Sequence, residues 1–195
     1  MKNYLKILIF SLSAILISPV TLLFLLLNKI HRSDSLFAGI SQLLSLIPGK
    51  FGCYFRTGFY SFAVQTISQD AVISFLVLFS QQDTTIETGV YIGPQCNIGK
   101  CKISKNTLLG SGVHIMSGKQ QHNFEDPKIP IKDQGGEFQS ITIGEDCWIG
   151  NCSLIMANIG NKCIIGAGSV VINDIPDYSI VAGNPAKVIK TRSKD

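Results

Sequence analysis

Charge is what this chain has least of: charged residues make up 15 % of its 195 positions, and the net charge is only +4. Its basic residues form no cluster interleaved with aromatics, which speaks against a nucleic-acid surface. They scatter beside an apolar N-terminal stretch and over the C-terminal tail, where lipid headgroups and a phosphorylated small ligand are the natural counter-charges. Histidine is scarcer still, with His31, His114 and His122 the whole complement. His31 sits beside Arg32 at the end of the apolar stretch, so too few remain for a three-histidine zinc site, and no metal is expected. The six cysteines contain no Cys-x-x-Cys pair, which removes a zinc ribbon and a thioredoxin-like redox centre. Gly110-Ser111-Gly112 lacks the spacing of a nucleophile elbow.

What is present is a period. Aliphatic residues recur at Ile86, Ile92, Ile98, Ile103, Leu109 and Ile115, then at Ile143, Ile149, Ile155, Ile159, Ile165 and Val171, nearly always six apart. Small residues hold a second slot: Val90, Cys96, Cys101, Thr107, Val113, Cys147, Ser153, Cys163 and Ser169. A hexad fits neither an amphipathic helix nor a flat sheet and marks a β-helix. One hexad forms one side of a triangular coil, with the aliphatic residue filling the prism and the small residue fitting the inner corner. Glycine after the aliphatic residue, as at Gly93, Gly110, Gly144 and Gly150, is expected to permit backbone geometry that a β-carbon opposes. Four cysteines therefore serve as small apolar corner residues, while Cys53 and Cys152 fall outside the slot and have no evident catalytic partner.

The repeat has two short steps, Ile98 to Ile103 and Ile155 to Ile159, and one long interruption between Ile115 and Ile143. Residues 117–140 are polar and rich in Gly and Pro, a loop leaving a regular solenoid, and such loops carry function. Upstream, Ile7 to Leu27 contains no charge and is long enough to cross a bilayer, although Pro19 in its middle also allows a re-entrant dip. Positive charge is heavier after this run (Lys29, Arg32, Lys50, Arg56) than before it (Lys2, Lys6), which places the repeat on the cytoplasmic side of an inner membrane. Leu36 to Ile47 is a second apolar patch, either an interfacial helix or a cap over the open end of the β-helix. The organisation expected is a membrane-anchoring helical region over 1–60 and a β-helix domain over 61–195.

The chain resembles the hexapeptide-repeat acyltransferases, in particular the maltose, galactoside and polysaccharide O-acetyltransferase type. The resemblance rests on His122-Asn123-Phe124-Glu125-Asp126-Pro127, on Asp146-Cys147-Trp148-Ile149-Gly150, on Gly166-Ala167-Gly168-Ser169-Val170-Val171 and on Val181-Ala182-Gly183-Asn184-Pro185-Ala186-Lys187. It implies an all-β fold, a left-handed parallel β-helix of triangular section, and a homotrimer with active sites between prisms. It also implies acetyl-CoA as co-substrate rather than as a permanently bound cofactor. In the family the loop histidine is the general base, and His122 is the matching position. Asn123, Glu125, Asp126, His114 and Trp148 are candidates for orienting that base or lining the acceptor site. Gly150, Ala167 and Gly168 match the pantetheine groove, and Lys187, Lys190 and Arg192 are candidates for the CoA phosphates.

The chemistry suits one histidine. A sugar hydroxyl is a weak nucleophile and a thioester is already activated, so one base at the hydroxyl suffices and no acyl-enzyme is needed. The expected acceptor is a sugar hydroxyl of a surface polysaccharide or lipid-linked precursor. A small soluble acceptor, serine-like or an amino sugar, is the alternative, and a non-catalytic β-helix scaffold is the third reading.

Overall fold

The computed structural model describes residues 2–192; the side chains of Lys2 and Lys6, counted in the charge comparison, lie outside the described residues. Three helices, α1 (Lys2–Ile30), α2 (Asp34–Ser45) and α3 (Gly49–Ala63), precede a parallel β-solenoid of about six turns. Its first face stacks Thr66–Ile67, Thr85–Ile86, Cys101–Ile103 and Ile141–Ile143. The second face stacks Val72–Ile73, Tyr91–Ile92, Leu108–Leu109, Trp148–Ile149, Ile164–Ile165 and Ser179–Gly183, and the antiparallel strand Ala186–Thr191 closes it. Leu78–Phe79, Asn97–Ile98, His114–Ile115, Leu154–Ile155 and Val170–Val171 form the third.

Register keeps like with like. Ile73, Ile92, Leu109, Ile149 and Ile165 are Cα partners in one column, so the aliphatic slot becomes a continuous interior stack. All twelve aliphatic positions of the sequence series are buried, and so are all nine residues of the small slot. At the corners the buried small side chains bond to the next coil: Cys96 Sγ donates to Gly110 O, Cys147 Sγ to Gly160 O and Ser153 Oγ to Gly166 O.

The glycines after the aliphatic residues have a different reason from the one expected. Positive φ falls elsewhere, in columns formed by Gly89, Asn106, Asp146, Lys162 and Tyr178 and by Leu76, Gln95, Gly112, Cys152 and Gly168. At Gly144 a β-carbon would stand 2.5 Å from the backbone of Gly160 in the next coil. Coil-to-coil spacing, not a left-handed conformation, excludes the side chain there.

Every departure from a six-residue step, from Phe79 to Ile86 through Val171 to Ile175, falls on the edge joining the third face to the first. The long excursion 116–140 leaves from that same edge. The other two edges keep strict register.

The helices cap the first coil, whose outer backbone groups have no coil beneath them. Ser41 Oγ accepts from Phe79 N at 2.9 Å, Ser45 O accepts from Leu76 N, Thr57 Oγ1 donates to Ala71 O and Arg56 Nε donates to Ile73 O. Phe24, Phe37, Phe59, Tyr60 and Phe79 pack ring to ring over the open prism. Of the two readings of Leu36 to Ile47, the cap is thus built, because Phe37 and Leu44 are fully covered by it. Arg56 leaves the surface-charge comparison: it is wholly buried, its guanidinium held by the carbonyls of Ile73, Leu44 and Ile47. Helix α1 runs unbroken through Pro19, and Ser18 Oγ donates to Ile15 O at 2.7 Å, supplying the bond that the missing proline N–H would have made.

Candidate functional site

The third face presents Leu78, Asn97, His114, Leu154 and Val170 outward in one register column. Asn97 and His114 are one coil apart, and Asn97 Nδ2 donates to His114 Nδ1 at 3.2 Å. A neutral ring that accepts at Nδ1 carries its proton on Nε2, so His114 offers a donor rather than a base with the amide oriented this way. The pair lines a cavity of about 420 Å³ together with Gln42 of α2, Ser80, Gln121 and Phe138.

The excursion beside this cavity is pinned along its length. Gln139 N donates to Ser117 O, Glu137 N to Gln120 O and Asn123 N to Gly135 O, so its two limbs run as a paired arm. Gly136 lies so close to the opposite limb that a β-carbon would stand 2.0 Å from Gln121 O. The Gln134 amide closes the tip by donating to the carbonyls of Asp126 and Ile129.

His122 rides on this arm. Its side chain is exposed and, among the described residues, makes no hydrogen bond within the chain. The candidate orienting groups are engaged elsewhere: Glu125 Oε2 accepts from Phe124 N, Asp126 Oδ1 accepts from Lys128 N, and the Asn123 amide donates to Gln134 O. These side chains hold the arm rather than the imidazole. Gln121, the neighbour of His122, faces the cavity.

Trp148 lies on the second face, exposed, in a column with Val72, Tyr91, Leu108, Ile164 and Ile180. Gly150, Ala167 and Gly168 sit at the edge between the second and third faces. There Gly150 N donates to Ile165 O, and a β-carbon on Gly150 would meet Ala167 N at 2.5 Å. The basic trio does not converge. Lys187 pairs with Ala182 near that edge, whereas Lys190 pairs with Ile180. Arg192 is further on, about 16 Å of strand from Lys187, and its Nη1 donates to Lys162 O at the far edge.

No thiol competes as nucleophile at the cavity. Burial pushes the thiol of Cys96 up to about 11 and that of Cys101 up to about 12. Cys152 is exposed on a corner of the second and third faces. Among the described residues no group of three His, Cys, Asp or Glu is placed to hold a metal ion.

Asn97, Gln121 and Phe138 join the site only in the structure. Asn97 had a signal: it precedes the inward Ile98 just as His114 precedes Ile115. Stacking the hexads in register would have paired the two. Gln121 and Phe138 come from opposite limbs of the excursion, and only its closure brings them together.

Against known proteins, no family model matches the chain. A protein of Escherichia coli named for O-acetyl transfer in lipopolysaccharide biosynthesis is 31 % identical over 121 residues, 58 % of this chain and 60 % of that protein. A chloramphenicol acetyltransferase of Klebsiella aerogenes is 34 % identical over 115 residues, 51 % of this chain and 55 % of that protein. The chain thus spans little more than half the length of these curated relatives. A galactoside acetyltransferase solved with coenzyme A superposes with a TM-score of 0.55 at 21 % identity, covering 81 % of this chain and 80 % of that one, a likeness of fold.

Proposed function

The chain is a hexapeptide-repeat left-handed β-helix whose sequence relatives are acetyltransferases, and from that premise we propose that it moves an acetyl group from acetyl-CoA to a sugar hydroxyl. The acceptor on this reading is a surface polysaccharide or its lipid-linked precursor. The observation that carries the proposal is the pinned arm 116–140, which lines the third-face cavity through Gln121 and Phe138 and carries the exposed, unengaged imidazole of His122 next to Gln121. His122 takes the hydroxyl proton as the sugar oxygen attacks the thioester carbonyl. The C–O bond forms, the C–S bond breaks, and the CoA sulfur leaves with the proton returned by the imidazolium. His114, with its Nε2–H, is a donor to the acceptor or to the developing oxyanion. The edge at Gly150, Ala167 and Gly168 suits a pantetheine arm because two of these three residues carry no side chain and the third only a methyl, and of the basic trio Lys187 lies nearest it for a phosphate.

Two further parts belong to the same reading. The second face is an apolar ladder, with Val72, Tyr91, Leu108 and Trp148 exposed and Ile164 and Ile180 half-buried, which supports a homotrimer of facing prisms. A sedimentation mass of one chain, 21.2 kDa, would sink that part. Helix α1 and its neighbours support attachment to the inner membrane with the prism in the cytoplasm.

The test is the O-acetyl content of surface glycans, read by mass spectrometry in cells with the intact gene, a deletion and His122→Ala. Loss of one acetyl group in both altered strains is expected. Retention in His122→Ala alone moves the base elsewhere. Retention in both refutes the glycan acceptor, and the chloramphenicol-modifying relative then makes a small soluble acceptor the next to assay.

A further inference from the structure

Helix α1 satisfies the length and composition of a membrane span, Ile7–Ile30, but its packing argues for a different placement. Its buried stripe is Ser13, Ile17, Thr21 and Phe24. That stripe lies on α3, close enough that a β-carbon on Gly58 would stand 3.3 Å from Ala14 Cα, while Phe24 stacks edge-on with Phe59 at 5.4 Å. Helix α3 is itself fastened to the first coil through Arg56 and Thr57.

Both ends of α1 stay near that coil. Asn28 Nδ2 donates to Gln82 Oε1 at 2.7 Å, and Arg32 pairs with Asp83, at the edge between the third and first faces. Phe10, about 27 Å back along the helix, lines a cavity of about 590 Å³ shared with Asp70 and Val72, at the edge between the first and second faces. A helix whose two ends lie near two corners of one coil runs along the base of the prism. It does not stand away from it.

The outward side of α1 is aliphatic from end to end: Leu8, Leu12, Leu16, Leu22, Leu23 and Leu26 are 52 % to 69 % exposed. A water-facing helix carries its polar residues there, and here Ser13 and Thr21 face the protein instead, with Ser11 the one exposed hydroxyl residue amid the leucines. Exposed Lys29 and Lys50 flank the apolar run, as cations that meet anionic headgroups. Exposed Leu43 and Leu46, on and just after α2, and Phe51 and Phe62 on α3 add to the apolar surface.

We infer that the three helices form a seat in one leaflet of an anionic bilayer, with α1 lying in the membrane plane and not crossing it. This rests on the membrane attachment proposed above and fixes its form. It also sets the site's height. Gln42 of α2 lines the cavity that holds His114, and His114 stands two coils, about 10 Å, above the first coil. That is within reach of a sugar carried on a lipid in the same leaflet.

The full chain with an epitope at each end, expressed in cells, gives the test by protease treatment of spheroplasts and of inverted membrane vesicles. Both epitopes should be cut in inverted vesicles and neither in spheroplasts. An N-terminal epitope cut only from outside would overturn the inference, since α1 would then cross, and would leave the acetyl-transfer reading standing. Recovery of the chain in the soluble fraction would also overturn it. As a second arm, Leu12→Asp/Leu16→Asp/Leu23→Asp should lower the membrane-bound fraction at least tenfold while the prism melts as before. Unchanged retention would refute the seat. Glycan acetylation scored in the same strains keeps failure of the seat separate from failure of the activity.

Discussion

Removing the Arg56 guanidinium tests whether the helical cap is fastened to the prism by hydrogen bonds or only by apolar packing. The side chain is fully buried and, among the described residues, no carboxylate pairs with it. Burial pulls its pKa below the usual arginine range, yet its N–H groups reach Ile73 O at 3.0 Å, Leu44 O at 3.0 Å and Ile47 O at 2.8 Å. In Arg56→Met, Leu44 O keeps the Ile47 N–H, but the carbonyls of Ile47 and Ile73 lose the partner that Arg56 gave them. Three bonds to a charged donor contribute roughly 5 kcal/mol together, and two newly unpaired carbonyls cost about 1–3 kcal/mol each. Relief of the guanidinium's own desolvation returns several kcal/mol, so the net loss is about 3 kcal/mol. For a chain of this size that lowers the melting temperature by about 6–12 °C. Thermal unfolding followed by circular dichroism reads the shift. Arg56→Lys should fall between the two, since an ammonium cannot span the fork. A variant within 1 kcal/mol of the parent, or more stable than it, would refute the reasoning: the cation would then be a tolerated burden and the aromatic cluster the real fastening.

Two other substitutions separate close packing from backbone conformation. Gly144→Ala places a β-carbon 2.5 Å from Gly160 and should destabilise by about 2–3 kcal/mol, as overpacking does. Gly39→Ala, in α2 with nothing within 4 Å, should stabilise by about 0.5–1 kcal/mol, and equal effects in urea unfolding would contradict the assigned coil spacing. Thiol labelling of the native chain at pH 8 should modify Cys152 and leave Cys96 and Cys101 untouched; rapid labelling of all six would show that the corner cysteines are not buried. The same two thiols predict alkaline instability. An unfolded thiol ionises near pH 8.5, whereas the folded ones hold their protons to about 11 and about 12, so stability should fall as pH rises above the unfolded value. Serine at both positions should flatten that slope in unfolding measured between pH 8 and 10.

The sides of the prism were legible in the order of residues alone. A six-residue period of aliphatic and small residues sets the length of one side of a coil and turns its aliphatic residue inward, and the twelve aliphatic positions from Ile86 to Val171 are buried as that rule requires. It also marked the interruption after Ile115, since a break in a strict period is visible without coordinates. What it could not decide was everything set by neighbours distant in the chain. Counting hexads three to a coil already puts every irregular step on one edge and Asn97 opposite His114, but the bond between those two side chains appears only in the structure. The spread of Lys187, Lys190 and Arg192 came from the direction of the last strand, which sequence leaves open. Arg56 reads as a surface charge in sequence because a cation is expected in water unless carbonyls converge on it, and here they come from two distant segments, the end of α2 and the first coil. The length of α1 gave a membrane helix, but whether such a helix stands or lies depends on what its other side packs against, and in this chain that is α3 and the base of the first coil.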